Sequence, residues 1–214
     1  MMAPMKLFYC EVLNPRKACA VARYLDAKVD FVRVDIWRGA HKTPEFLARN
    51  PNGQVPVLQD GDRYLSESNA IMCHLSERAG ADLWPHDDRQ IEVLRWLFWD
   101  AMHFGRQAGE LYFQHVILPF VGGTSDPEAA AGATESFRRL ATILDDHLRG
   151  RQFLVADRLS VADFALAVAL PYAEAARLPL AEFAEITRWH AGLNELPAWR
   201  APFPDNTHRW PGRD

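Results

Sequence analysis

Cysteine is scarce in this chain: there are three in 214 residues, Cys10, Cys19 and Cys73. They form no CxxC pair and no zinc-ligand spacing, and an odd, low count argues against a disulfide framework, so reduced thiols and no metal site are expected. An excess of one charge is lacking too. With 24 Lys and Arg against 28 Asp and Glu, the formal net charge is −4. No basic tract and no basic stripe interleaved with aromatics occurs, so nucleic acid is not an expected partner. No segment approaches the ~20 apolar residues of a membrane helix. The opening residues, MMAPMKLFYCEVLNPRK, hold no apolar run of signal-peptide length, and the expected location is cytoplasmic. At 49% hydrophobic and 24% charged residues, disorder is excluded, and one or two globular domains are expected.

What is present changes character near residue 82. Up to there, strand and helix signals alternate. KLFY (6–9) is a short β-prone run. PRKACAVARYLDA (15–27) places Ala18, Val21, Ala22 and Leu25 on one helical face, with Pro15 at the first position. DFVRVDI (30–36) reads as a strand. TPEFLARN (43–50) reads as a short helix with Thr43 as cap. VPVLQ (55–59) and RYLS (63–66), joined by Asp60-Gly61-Asp62, predict a hairpin, and SNAIMCHLSERAG (68–80) a helix capped by Ser68 and stopped by Gly80. After ADLWPHDDR (81–89) the strand signals stop. Helical patterns follow over 88–118, 128–150, 160 to about 176, and 183–196. The expected organisation is an N-terminal βαβαββα domain (1–82), the thioredoxin-like order, and an all-helical domain (88–214).

The stretch NPNGQVPVLQDGDRYLSESNAI (50–71) carries the chemistry. Val55-Pro56 opens a strand, where proline leaves a ladder position without a donor. Base rates favour a trans bond. A cis bond would turn the Val55 backbone outward, ready to pair with an extended peptide. One hairpin later, Glu67-Ser68 stands at a helix start, where free N–H groups and the helix dipole attract a carboxylate. Ser68 adds a hydroxyl and Glu67 a negative charge suited to an amino group. Taken singly, each has a plain alternative: an edge strand, a serine cap, a surface glutamate.

Together, NPNGQVPVL and SESNAI resemble the glutathione-binding signature of the cytosolic glutathione S-transferases, and the resemblance covers nearly the whole chain. It implies a thioredoxin-like domain followed by a helical one. It also implies a cis Pro56, Val55 pairing with the cysteinyl unit of glutathione, and Glu67 and Ser68 holding the γ-glutamyl head. His41-Lys42 resembles the phi-class pair that binds the glycyl carboxylate, and Gln54 matches a glutamine of the same site. SVAD (160–163) resembles the family's buried N-capping box, in which Ser160 and Asp163 are structural.

The family activates a thiol. Its members use Tyr, Ser or Cys near the end of the first strand, and here the Ser or Cys position falls on Asn14. The Asn14 amide can donate to sulfur at the cap of the first helix, as in the bacterial nu class, although the Thr-Pro before that class's Asn is replaced by Val12-Leu13. Tyr9 follows KLF as the beta-class tyrosine does, with strand packing as its alternative. Asn14 and Tyr9 are therefore the catalytic candidates. Cys10 is four residues too early for the family's catalytic cysteine. WLFWDAMHFG (96–105) spreads apolar residues over more than one helix face, so a partner subunit or an apolar substrate is expected to cover part of it. His103 and Tyr112 are its second-substrate candidates. The expected function is conjugation of glutathione, a co-substrate with no other cofactor, to hydrophobic electrophiles by a homodimer. The alternatives are a glutathione-dependent peroxidase or disulfide reductase, and a glutathione-binding protein with little catalysis.

Overall fold

Leu7 and Leu58 sit opposite one another on neighbouring strands and are fully buried, and the first sheet grows around them. In the computed structural model, which describes residues 5–204, β1 (Met5–Tyr9) pairs in parallel with β2 (Val29–Arg33) and antiparallel with β3 (Val57–Asp60). The hairpin continues into β4 (Arg63–Leu65), giving the order β2-β1-β3-β4. A parallel pair needs a crossover helix. That helix is α1 (Leu13–Tyr24), whose residues 15–22 are all buried. α3 (Ser68–Ala79) follows the hairpin and ends at Gly80, whose φ of 62° is the left-handed stop expected of glycine. α2 (Pro44–Arg49) starts as read, with the Thr43 hydroxyl accepting from the Phe46 N–H at 3.3 Å. A small apolar cluster of Phe8, Val34, Phe46 and Val57, with Val55 packed against it, fixes the loop before β3.

Residues 5–82 form one compact unit together with 197–204, and residues 83–196 form the other. The sequence reading put everything from 88 onward in the helical domain. Instead, α10 (Pro197–Arg200) and the residues after it lie on α1: Arg16 Nη2 donates to the Trp199 carbonyl at 2.6 Å and Arg23 Nη1 to the Phe203 carbonyl at 3.0 Å.

In the second unit, the expected helix over 88–118 is α4 (Arg89–Trp99), α5 (Gly105–Tyr112) and α6 (Leu118–Phe120), joined by two π-helical turns, Asp100–Phe104 and Phe113–Ile117. The second π turn aims Gln114 at the following loop, where its Oε1 accepts from the Asp126 N–H at 2.7 Å. α7 (Pro127–Leu148) begins under the Asp126 carboxylate. The helix expected from 160 to about 176 is shorter. α8 (Val161–Leu166) gives way to tight turns and a 3-10 turn at Leu170–Tyr172, because Pro171 has no N–H and its ring collides with an α-helical carbonyl four residues back. α9 (Ala184–Leu193) has no cap of its own; Asp145 of α7 supplies one, its Oδ1 accepting from Glu185 and Ile186 N–H at 2.8 and 2.9 Å.

Asp163 is the polar centre of this unit. Wholly buried, it accepts from the Leu154 and Ser160 N–H groups, the Ser160 hydroxyl and Trp189 Nε1, all within 2.9–3.0 Å. The bond from the Ser160 N–H is the reach-back bond of a capping box, in keeping with the SVAD resemblance. No described helix is long and apolar enough to cross a membrane.

Candidate functional site

A pocket with about 290 Å³ of open space lies in the first unit. One wall is the loop before β3, contributing Asn50, Asn52, Gln54, Val55 and Pro56; another is Ser66, Glu67 and Ser68 at the start of α3; Asn14 closes it from α1. Six sequence-named residues therefore meet around one cavity: Asn14, Gln54, Val55, Pro56, Glu67 and Ser68.

The Val55–Pro56 bond is cis. The Val55 side chain packs on the cluster under β1 and β3, and among the described residues no backbone hydrogen bond engages its N–H or C=O. Those groups are left for a ligand, as β-augmentation requires. Two asparagines that the sequence reading passed over hold this loop. Asn50, only 3% exposed, donates from Nδ2 to the Gln54 carbonyl at 2.9 Å and accepts from the Asn52 N–H at 3.2 Å. The turn signal Asn-Pro-Asn-Gly was the available clue.

At α3 the expected cap is shifted by one residue. Glu67, not Ser68, is the N-cap, with φ 68° and no side-chain cap bond, and Ser68 is the first helical residue. A non-glycine at positive φ costs about 1–3 kcal/mol and persists where its surroundings dictate it. Here it leaves α3 without a side-chain cap from its N-cap residue and the Glu67 carboxylate exposed at the helix start. α1 is similar. Its cap is Val12, with no side-chain bond, so Asn14 lies inside the first turn rather than at the cap, exposed to the pocket.

His41 and Lys42 do not line the cavity but adjoin its loop. Gly53 has φ +59°, and a Cβ placed there would lie 3.1 Å from both Lys42 Nζ and the His41 carbonyl oxygen. Glycine is therefore demanded by conformation and by the approach of that loop. Lys42 is exposed. His41 Nδ1 is shielded without a partner, and burial, with Lys42 nearby, lowers the imidazole pKa so that it is neutral at pH 7.

Tyr9 is not among the pocket residues. It is 2% exposed, its ring stacked on Phe203 at 5.8 Å and edge-on to Phe31 at 6.1 Å. In the helical unit, Tyr112 is buried against Tyr172, ring centroids 5.1 Å apart, whereas His103 is exposed on the first π turn. The thiols are unsuited to nucleophilic work: burial pushes Cys10 and Cys73 up to about 12 and Cys19 well above its ordinary value. Among the described residues no cluster of His, Cys, Asp and Glu could hold a metal ion.

The arrangement can hold an extended peptide by its backbone, an amino group at Glu67, a carboxylate at α3, and an anionic atom at Asn14. The comparisons agree with it. Residues 4–77 match the family model for the glutathione S-transferase N-terminal domain, and residues 127–210 that for its C-terminal domain. The chain is 34% identical to glutathione S-transferase 3 of Zea mays, covering 93% of each chain. Among solved structures, glutathione S-transferase I from mais in complex with an atrazine glutathione conjugate superposes with a TM-score of 0.85, at 28% identity and covering 94% of this chain and 96% of that one. A glutathione transferase from Phanerochaete chrysosporium in complex with oxidized glutathione gives 0.82 at 27% identity, covering 93% and 94%. With its cis-proline loop, its open helix starts and these relatives, the chain belongs to the glutathione S-transferase family.

Proposed function

We propose that this chain binds glutathione in the pocket between α1, α3 and the Val55 loop, lowers the pKa of its thiol through Asn14, and transfers it to hydrophobic electrophiles. The observation that carries this reading is the convergence of Asn14, Gln54, Val55, Glu67 and Ser68 on one cavity. In the bound state, the Val55 N–H and C=O pair with the cysteinyl unit. Glu67 takes the α-amino group, and Ser68 with the α3 N–H groups takes the α-carboxylate. Gln54 and Lys42, with His41 behind it, face the glycyl carboxylate. A free thiol titrates near pH 8.5. The Asn14 amide and the uncapped start of α1 place a donor and a partial positive charge where the thiolate forms, stabilising it without any residue giving up a proton. The thiol proton leaves to water. The sulfur lone pair forms the C–S bond, and the leaving group departs with its electron pair. Glutathione is a co-substrate, and no cofactor is needed.

Asn14 lines the pocket and Tyr9 is buried outside it, which supports Asn14 over Tyr9 as the thiol donor. Of the two second-substrate candidates in the helical unit, the exposed His103 is open to a small molecule, whereas Tyr112 is packed against Tyr172. Ile91, Phe98 and Met102 are each more than 60% exposed along α4 and the turn after it; this apolar stripe supports a homodimer in which a second copy covers it. The proposed location is the cytoplasm.

Turnover of a chlorodinitrobenzene with glutathione tests the reading, and conjugate formation is expected. A second reading rests on Asn14, an amide where a hydroxyl or thiol is usual: reduction of glutathione mixed disulfides or hydroperoxides. Turnover of cumene hydroperoxide with no conjugation selects it. Glutathione binding with neither activity would select a binding protein.

A further inference from the structure

Glu11 is fully buried, lies in the three-residue loop between β1 and α1, and plays no part in the pocket. Buried carboxylates are rare unless paired, and this one is paired. Both its oxygens accept from Arg33 Nε, at 2.8 and 3.1 Å, and the Cys10 thiol donates to Oε2 at 3.4 Å. Arg33 is the β2 residue in register with Tyr9, the last residue of β1. The Val34 N–H donates to the Tyr9 carbonyl at 2.7 Å, and the Val12 N–H turns back to the Cys10 carbonyl at 2.8 Å. The loop is therefore held to β2 at its base and by the Glu11 side chain. α1 has no side-chain cap and no acidic residue in its first turn.

We propose that Glu11 and Arg33 are a positioning pair for Asn14: by stapling the loop to β2 they set where α1 begins, and so where the Asn14 amide stands at the pocket. This rests on the reading of Asn14 as the thiol donor. Neither residue touches the ligand. The groups that grip glutathione come from 41–42 and 54–68, on other elements, so the pair governs the thiol and not the affinity.

The experiment is a pH titration of ultraviolet thiolate absorbance for bound glutathione, with binding constants, in the full chain and its Glu11→Gln, Asn14→Ala and double variants. Position and charge predict opposite signs. As a bare charge near the helix start, Glu11 opposes the thiolate, so its removal would lower the thiol pKa. As a staple it holds the donor in place, so its removal raises the pKa, by about one unit, or tenfold in thiolate at neutral pH. The expected result is a raised pKa in Glu11→Gln, glutathione affinity within about twofold of the parent, and no further rise in the double variant beyond Asn14→Ala. Arg33→Lys keeps the charge and alters only geometry, so it shifts the pKa in the same direction by less, and it carries the test if Glu11→Gln does not fold. A lowered or unchanged pKa, an equal loss of affinity, or a rise that adds to that of Asn14→Ala overturns the pair's role. An unchanged pKa in Asn14→Ala overturns the reading of Asn14 itself, and the positioning role with it.

Discussion

Two kinds of helix start coexist in this chain. α2 and α7 begin under a side chain, the Thr43 hydroxyl and the Asp126 carboxylate, α8 begins with the Asp163 carboxylate reaching back to the Ser160 N–H, and α9 borrows Asp145 from its neighbour. α1 and α3 begin under none, and it is their first turns that bring Asn14 and Ser68 to the pocket. A first turn carries unpaired N–H groups and a partial positive charge. In α2, α7, α8 and α9 the chain itself closes that turn; in α1 and α3, at the pocket, no side chain caps it, which suits the proposed carboxylate and thiolate. The open starts give up about 1 kcal/mol of capping each.

The contrast predicts that damage to closed starts is felt in stability, and damage around open ones in binding or chemistry. The largest effect belongs to Asp163→Ala. It orphans two buried N–H groups and the Trp189 indole, and costs about 3 kcal/mol or more in denaturant unfolding. Glutathione affinity should not change in the fraction that remains folded. Asp163 has a pH signature as well. Burial raises its carboxyl to about 6, above the unfolded value, so the fold favours the protonated form. Its contribution is full below about pH 4 and is lost as pH rises through its folded value. Melting curves of the parent against Asp163→Asn should therefore converge or cross in that window; parallel curves would show that the group does not titrate there.

Next comes Glu67→Gln. Replacing a charge-assisted contact to the α-amino group with a neutral one weakens glutathione binding about tenfold or more, with the melting temperature nearly unchanged. Calorimetric titration measures it, and an unaltered affinity would mean that the open start of α3 is not the head-group site. The smallest effect is that of Thr43→Ala. Loss of a surface cap costs about 1 kcal/mol of stability and should leave the thiol pKa of bound glutathione where it was.

The wall of the proposed glutathione pocket was legible because its parts are contiguous. NPNGQVP and SES each specify a local shape, and a short hairpin fixes their separation. The resemblance carried the cis bond, which base rates alone opposed. Less legible were features set by distant partners. Propensity did not show that Glu11 would be buried, since its partner Arg33 is on another strand. Nor did it show that Tyr9 would be covered by Phe203, from a segment that returns to the first unit. The errors at α1, two residues, and at α3, one residue, have a single cause: side chains suited to capping were read as caps, whereas in the structure they line the pocket. Pro171, in plain view, was the signal for the early end of α8.

In the proposed mechanism the open start of α1, through Asn14, arms the thiol. Titrating the ultraviolet thiolate absorbance of glutathione on the protein tests it most directly. The expected result is a thiol pKa well below its free value, returning toward that value in Asn14→Ala. Clear binding with an unshifted thiol pKa would contradict it, leaving a pocket that holds glutathione without activating it.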